Sequence, residues 1–97
     1  MSLDAPSPLS INGSPFAVGV VAARYNHRLV EALLDQVTGG LRASGVKEKR
    51  LFVARVPGSN ELPSAVQLLL HRRRLDVVVA LGVIIRGGTL HYELVAQ

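Results

Sequence analysis

Apolar positions along the chain follow two different periods. Phe16 to Ala23 (F-A-V-G-V-V-A-A), Leu51 to Val56 (L-F-V-A-R-V) and Val77 to Ile85 (V-V-V-A-L-G-V-I-I) are short runs with apolar residues on both alternating faces. Runs of this length and β-branched content predict strands of a parallel sheet covered on both sides. Between them the period changes to that of a helix, with Val30, Leu33, Leu34, Val37 and Leu41 on one stripe and Leu62, Ala65, Val66, Leu69 and Leu70 on another. Asn26 is placed to N-cap the first helix and Gly45 to end it. Gly39 and Gly40 inside it each cost about 1 kcal/mol relative to alanine, so close packing against the sheet is expected there. Pro57-Gly58 is a turn, Ser59 or Asn60 can cap the second helix, and Pro63 is tolerable only in its first turn. His71 to Arg74 close that helix with cations at the negative end of its dipole. A third helix is expected from Thr89. Strand and helix thus alternate as βαβ units with right-handed crossovers. The strand from Val77 is expected at the centre of the sheet, and the strand carrying Arg55 at an edge.

Met1 to Pro15 is rich in proline and serine and is expected to be an extended or flexible arm (1–15), with one α/β domain over 16–97. At 97 residues the chain is one small domain, and a domain of this size buries only roughly 60 to 65% of its unfolded surface. With 48% hydrophobic and only 19% charged residues, disorder is excluded and some apolar surface is expected to meet other subunits. Cysteine is absent, which rules out disulfides and thiolate metal sites within these residues. The longest apolar run is about half of the roughly 20 residues that span a bilayer, and the first residues lack the basic start and apolar core of a secretory signal. A cytoplasmic protein is expected. The net charge of +4 permits nucleic-acid binding, yet much of the excess sits in His71 to Arg74, which the helix end explains.

Candidate chemistry gathers after the strands. In a parallel sheet, Tyr25-Asn26, Ser59-Asn60-Glu61 and Arg86 to His91 all follow strand carboxyl ends and converge on one rim. Gly87 and Gly88 let the backbone approach a ligand closely, and the helix start at Thr89 offers free N–H groups for an anion such as phosphate. His91, two residues on, titrates near neutral pH and stands beside that anion site. The tyrosine supplies an aromatic face and the middle loop polar groups for hydroxyls, so a flat polar ring plus a phosphate is the expected ligand. Each feature also has an ordinary explanation: Glu61 complements a helix dipole, His91 opens a helix, and the glycine pair makes a common turn. His27 and His71 lie on polar helix faces without a second ligand at metal spacing, and no metal site is expected.

Three motifs, in order and spacing, carry a family resemblance: R-Y-N at Arg24 to Asn26, V-P-G-S-N-E-L-P from Val56 to Pro63, and A-L-G-V-I-I-R-G-G-T-L-H-Y-E-L-V-A from Ala80 to Ala96. From Phe16 to Gln97 the chain resembles the N-terminal part of lumazine synthase, an enzyme of riboflavin biosynthesis. That resemblance implies a flavodoxin-like three-layer α/β sandwich, assembled into pentamers or multiples of them, with sites between neighbouring subunits. It implies condensation of a ribitylamino-uracil with dihydroxybutanone phosphate, without metal or organic cofactor; from the length of the apolar runs and the placement of the basic patch, neither membrane nor nucleic-acid partners are expected. By position, Tyr25 matches the residue stacking on the pyrimidine, Ser59, Asn60 and Glu61 the ribityl-binding segment, and Val83, Ile84 and Ile85 the strand end beside the heterocycle. Gly88 and Thr89 match the phosphate loop, and His91 the general acid/base. Tyr25 stands where the family usually has phenylalanine or tryptophan, and Asn60 where it often has an apolar residue. Family members continue beyond the point matching Gln97, and the helix starting near His91 has no terminating residue, so the sheet is expected to need further elements. Two other readings fit the same sequence: a catalytically silent relative that binds a lumazine or flavin, or serves in assembly, and a nucleic-acid-binding module using Arg72 to Arg74.

Overall fold

The computed structural model of the chain describes residues 11–84. Three strands, β1 (Val18–Ala23), β2 (Leu51–Val56) and β3 (Val77–Leu81), form a parallel sheet in the order β2-β1-β3. Two helices, α1 (His27–Ala43) and α2 (Leu62–Arg72), make the crossovers. The first connection moves to one side of β1 and the second moves back past it, so crossovers of the same right hand place α1 and α2 on opposite faces. This α/β layering follows the flavodoxin-like 2-1-3 strand order. In register, Val18 pairs with Leu51 on one side and Val77 on the other, and Ala22 pairs with Arg55 and Leu81.

Every residue of β1 is buried. Val18, Val20 and Ala22 face α1 and pack with Val30, Leu34 and Val46, flanked by Val37, Leu41, Leu51, Val79 and Leu81. On the other face Gly19 lets α2 come close: a Cβ there would lie 2.7 Å from Leu69 Cδ2 and 2.9 Å from Leu75 Cδ1. Each fully buried valine contributes about 1.5 to 3 kcal/mol, which makes β1 the main apolar contributor to stability. The entries to β1 and β3 are clamped together, because Ala17 N–H donates to Asp76 Oδ2 at 2.7 Å and Asp76 N–H donates to Ala17 O at 2.8 Å. Residues before β1 are tied to the end of α1, with Gly13 N–H donating to Ser44 O at 2.7 Å, and Arg50 donates to the Pro15 carbonyl at 3.0 Å.

Several expectations are corrected. Among the described residues the central strand is β1, not the run from Val77, because the second crossover lands β3 outside β1. The edge position expected for β2 holds within this sheet, and Arg55 there meets Glu31 of α1 at 2.5 Å. β3 leaves the ladder at Leu81, and the described residues of the expected run beyond it, Gly82 to Ile84, are not in strand, since the neighbour β1 ends one residue beyond the paired Ala22. Gly39 and Gly40 do not pack on the sheet: both are exposed, with no atom within 4 Å of a notional Cβ. The residue buried at that turn is Thr38, on the row of Val30 and Leu34, its hydroxyl donating to Leu34 O at 2.8 Å. Leu33 and Leu70 are exposed. The second stripe consists of Leu62, Ala65, Val66 and Leu69, all half-buried. The expectations for residues 1–10 and for Ile85 onward, including Gly88, Thr89 and His91, lie outside the described residues.

Candidate functional site

Past the end of β1 the chain stays hydrogen-bonded to the segment after β2. Arg24 N–H donates to Val56 O at 2.7 Å and Tyr25 N–H to Pro57 O at 3.1 Å, which sets the tyrosine backbone against the next loop. The chain then reverses at Asn26, whose left-handed backbone (φ 58°, ψ 58°) is one that asparagine tolerates better than most residues. Its carbonyl accepts from Val30 N–H at 3.1 Å and opens α1, while its side chain makes no capping bond. The N-cap position is as expected, and the cap is made by the backbone.

The loop after β2 closes on itself. Ser59–Glu61 form a single 3-10 turn, with Glu61 N–H donating to Gly58 O at 3.2 Å and Gly58 N–H donating to Glu61 Oε2 at 3.1 Å. Neither Ser59 nor Asn60 caps α2 through its side chain. The carboxylate of Glu61 reaches back instead, and Pro63 takes the first turn of α2 as its missing N–H requires. Ser59 and Asn60 are thereby held in a short arc at the sheet rim. Gly82, just past β3, brings the third segment up against this arc: a Cβ there would lie 2.7 Å from Ser59 Oγ and 2.9 Å from Leu62 Cδ1.

These segments enclose an open cleft of about 350 Å³, lined by Tyr25, Pro57, Gly58, Ser59, Asn60, Glu61, Val83 and Ile84. The volume lies at the lower end of the range for small-molecule sites. The cleft stands at the carboxyl ends of the strands, where open α/β sheets take their ligands. Tyr25 is 57% exposed and offers a ring face, Val83 and Ile84 form an apolar wall, and the 57–61 loop contributes hydroxyl, amide and carboxylate groups. The lining thus combines an aromatic face, an apolar wall and hydrogen-bonding groups on one loop. Of the residues singled out in the sequence, Tyr25, Ser59, Asn60, Glu61, Val83 and Ile84 meet here, whereas Ile85, Gly88, Thr89 and His91 fall outside the described residues. Pro57, Gly58 and the close approach at Gly82 add to the set. An isolated glycine inside an apolar strand pattern is the sequence signal for such an approach. No group of three or more His, Cys, Asp or Glu among the described residues is placed to hold a metal. His27 lies on the surface of α1, its Nδ1 3.9 Å from Glu31.

The family model described as 6,7-dimethyl-8-ribityllumazine synthase matches residues 15–97. Relatives carrying that same name include a protein of Halorhodospira halophila, 51% identical over 77 residues, which cover 79% of this chain and 49% of the relative. One from Polaromonas sp. is 42% identical over 87 residues, covering 90% and 56%. Another from Albidiferax ferrireducens is 40% identical over 93 residues, covering 96% and 59%. The chain therefore spans about half the length of the curated relatives it matches. With the match running through all three strands and through all three rim segments that line the cleft, the chain belongs to the 6,7-dimethyl-8-ribityllumazine synthase family.

Proposed function

We propose that a full-length protein containing these residues is a lumazine synthase. It condenses a ribitylamino-uracil with dihydroxybutanone phosphate: the amine and ketone form an imine with loss of water, phosphate leaves, and ring closure loses a second water. The observation that carries the proposal is the convergence of Tyr25, the 57–61 loop and Val83-Ile84 on one cleft at the strand ends. Tyr25 stacks on the pyrimidine, Ser59, Asn60 and Glu61 hold the ribityl hydroxyls, and Val83, Ile84 and Ile85 border the heterocycle. On the family resemblance, Gly88 and Thr89 bind the phosphate and His91 moves protons. Much of the rate then comes from holding two substrates together, with proton transfer adding typically about 10² to 10⁴.

The assembly proposed is a homo-oligomer, a pentamer or a multiple of it. Exposed Leu68 and Leu70 on α2, Val53 on β2 and Val77 on β3 support burial against further copies of the chain. Among the described residues no helix is long and apolar enough to cross a membrane. Both substrates are polar, and one is a phosphate ester, so a cytoplasmic enzyme would meet them where they are made.

The test is the condensation assay on the purified full-length protein, with Tyr25→Ala and His91→Ala alongside. The expected result is product formation by the wild type, a raised KM for the aminouracil in Tyr25→Ala, and a lowered kcat with intact assembly in His91→Ala. A wild-type protein that binds the lumazine but forms none would identify a silent relative instead.

A further inference from the structure

We infer that Gly82 is a positioning residue for the cleft, acting through the hydroxyl of Ser59; the inference rests on the function proposed above. Gly82 follows the last paired residue of β3 and immediately precedes the apolar wall at Val83 and Ile84. It is also where the third rim segment touches the second. The three heavy atoms nearest a Cβ at this position would be Ser59 Oγ at 2.7 Å, Leu62 Cδ1 at 2.9 Å and Ser59 Cβ at 3.6 Å.

These three contacts differ in how they can yield. The Ser59 Cβ distance is ordinary van der Waals contact, so the loop backbone has no need to move. Leu62 Cδ1 is the tip of a flexible side chain and swings aside at little cost. The hydroxyl is different, because it relieves the clash by rotating about χ1 into another staggered position, which re-aims its donor and acceptor. The 57–61 arc is held against a shift, since Tyr25 N–H donates to Pro57 O at 3.1 Å and anchors it to the segment after β1, while the Gly58 N–H to Glu61 Oε2 and Glu61 N–H to Gly58 O bonds keep the turn closed. The bare glycine therefore leaves open the space that the Ser59 hydroxyl takes up, in a cleft whose other wall begins at the next residue. Gly82 touches no ligand in this scheme; the ligand group it serves is a hydroxyl of the polyol chain on the pyrimidine.

The inference is tested by a double-mutant cycle in the full-length protein, using Gly82→Ala, Ser59→Ala and the pair, with 6,7-dimethyl-8-ribityllumazine as the titrated probe and thermal unfolding measured for each. Loss of one well-placed hydrogen bond lowers affinity by about three- to tenfold. Gly82→Ala and Ser59→Ala should each show such a loss, and the double variant should be no weaker than Ser59→Ala alone. A crystal structure of Gly82→Ala should show Ser59 in a different χ1 position. Additive losses, an unchanged affinity in Gly82→Ala, or an unmoved Ser59 hydroxyl would overturn the inference while leaving the enzyme assignment standing. Absence of any lumazine binding by the wild type would overturn both. If Gly82→Ala does not fold, the cycle is run on a Leu62→Ala background, which removes the apolar part of the clash and keeps the hydroxyl part.

Discussion

Asn26 and Asp76 show how much single residues settle at the two ends of the sheet. At Asn26 the left-handed backbone turns the chain from β1 into α1 and leaves Tyr25 at the cleft. A left-handed conformation costs an ordinary L-residue about 1 to 2 kcal/mol, and a β-branched side chain is least suited to it. Asn26→Val is therefore expected to destabilise the protein by about that amount and to weaken aminouracil binding by displacing Tyr25, while Asn26→Gly, free of the steric penalty, loses less. Denaturant unfolding and substrate titration of the two variants check this. At the opposite end, Asp76 accepts from the amide of Ala17, a residue buried within the structure. Asp76→Ala leaves that N–H without its partner, for a cost of about 1 to 3 kcal/mol. Asp76→Asn retains a carbonyl acceptor and should recover most of the loss, a difference readable in the unfolding midpoint at constant m-value.

At the scale of elements, α1 is held by one row, Val30, Leu34 and Thr38, with Val37 and Leu41 packed along one side of it. Those three are its buried residues, and Leu29 and Leu33 on the flanks remain exposed. Gly39 and Gly40 bury nothing, and open space surrounds the place where a Cβ would stand. Each is then a helix-interior glycine with no compensating contact within this chain. Gly39→Ala and Gly40→Ala should each stabilise the subunit by about 0.5 to 1 kcal/mol through the loss of backbone freedom in the unfolded chain. If either alanine lowers the melting temperature of the assembled protein, that turn of α1 makes a contact with another subunit that only glycine permits. The half-buried ion pair from Glu31 to Arg55 joins the first turns of the same helix to the edge strand β2. Both side chains are partly exposed, so it is expected to add little to stability and chiefly to fix where α1 begins.

For the whole molecule, the balance of surfaces decides the state of association. Val53 and Val77 are 47% and 48% exposed on the two outer strands of the described sheet, and Leu68 and Leu70 are 51% and 49% exposed on α2. Each such side chain left in water forgoes about 1.5 to 3 kcal/mol of burial, and unpaired strand edges invite further pairing. Residues 1–97 expressed by themselves are expected to self-associate or aggregate and to show no condensation activity. Sedimentation, with an assay of the same sample, checks this; a cooperatively unfolding, active monomer is the contrary outcome. In a full-length chain, Leu68→Lys is expected to shift the oligomer toward smaller species if α2 faces a neighbouring subunit, which light scattering would show.

What the sequence determined by itself was the alternation of strand and helix, the parallel α/β class, the element boundaries marked by Asn26, Gly45 and Pro63, and the family. These are local or additive signals: period, turn chemistry and capping act within a few residues, and the three motifs survive in linear order. Convergence of Tyr25 and the Ser59 loop on one rim was also legible, because a parallel sheet sends every strand's carboxyl end the same way. Tertiary structure alone decided that β1 rather than β3 is central in the described sheet, since order depends on where a crossover lands and not on how apolar a run is. It decided that Thr38 is buried while Leu33 and Leu70 face out, because a helix seats one row against a sheet and period alone does not choose which flank. Only three-dimensional packing, too, gave Gly82 its meaning. The residue that needs it bare, Ser59, is distant in sequence and becomes its neighbour only when the second crossover folds back over β1.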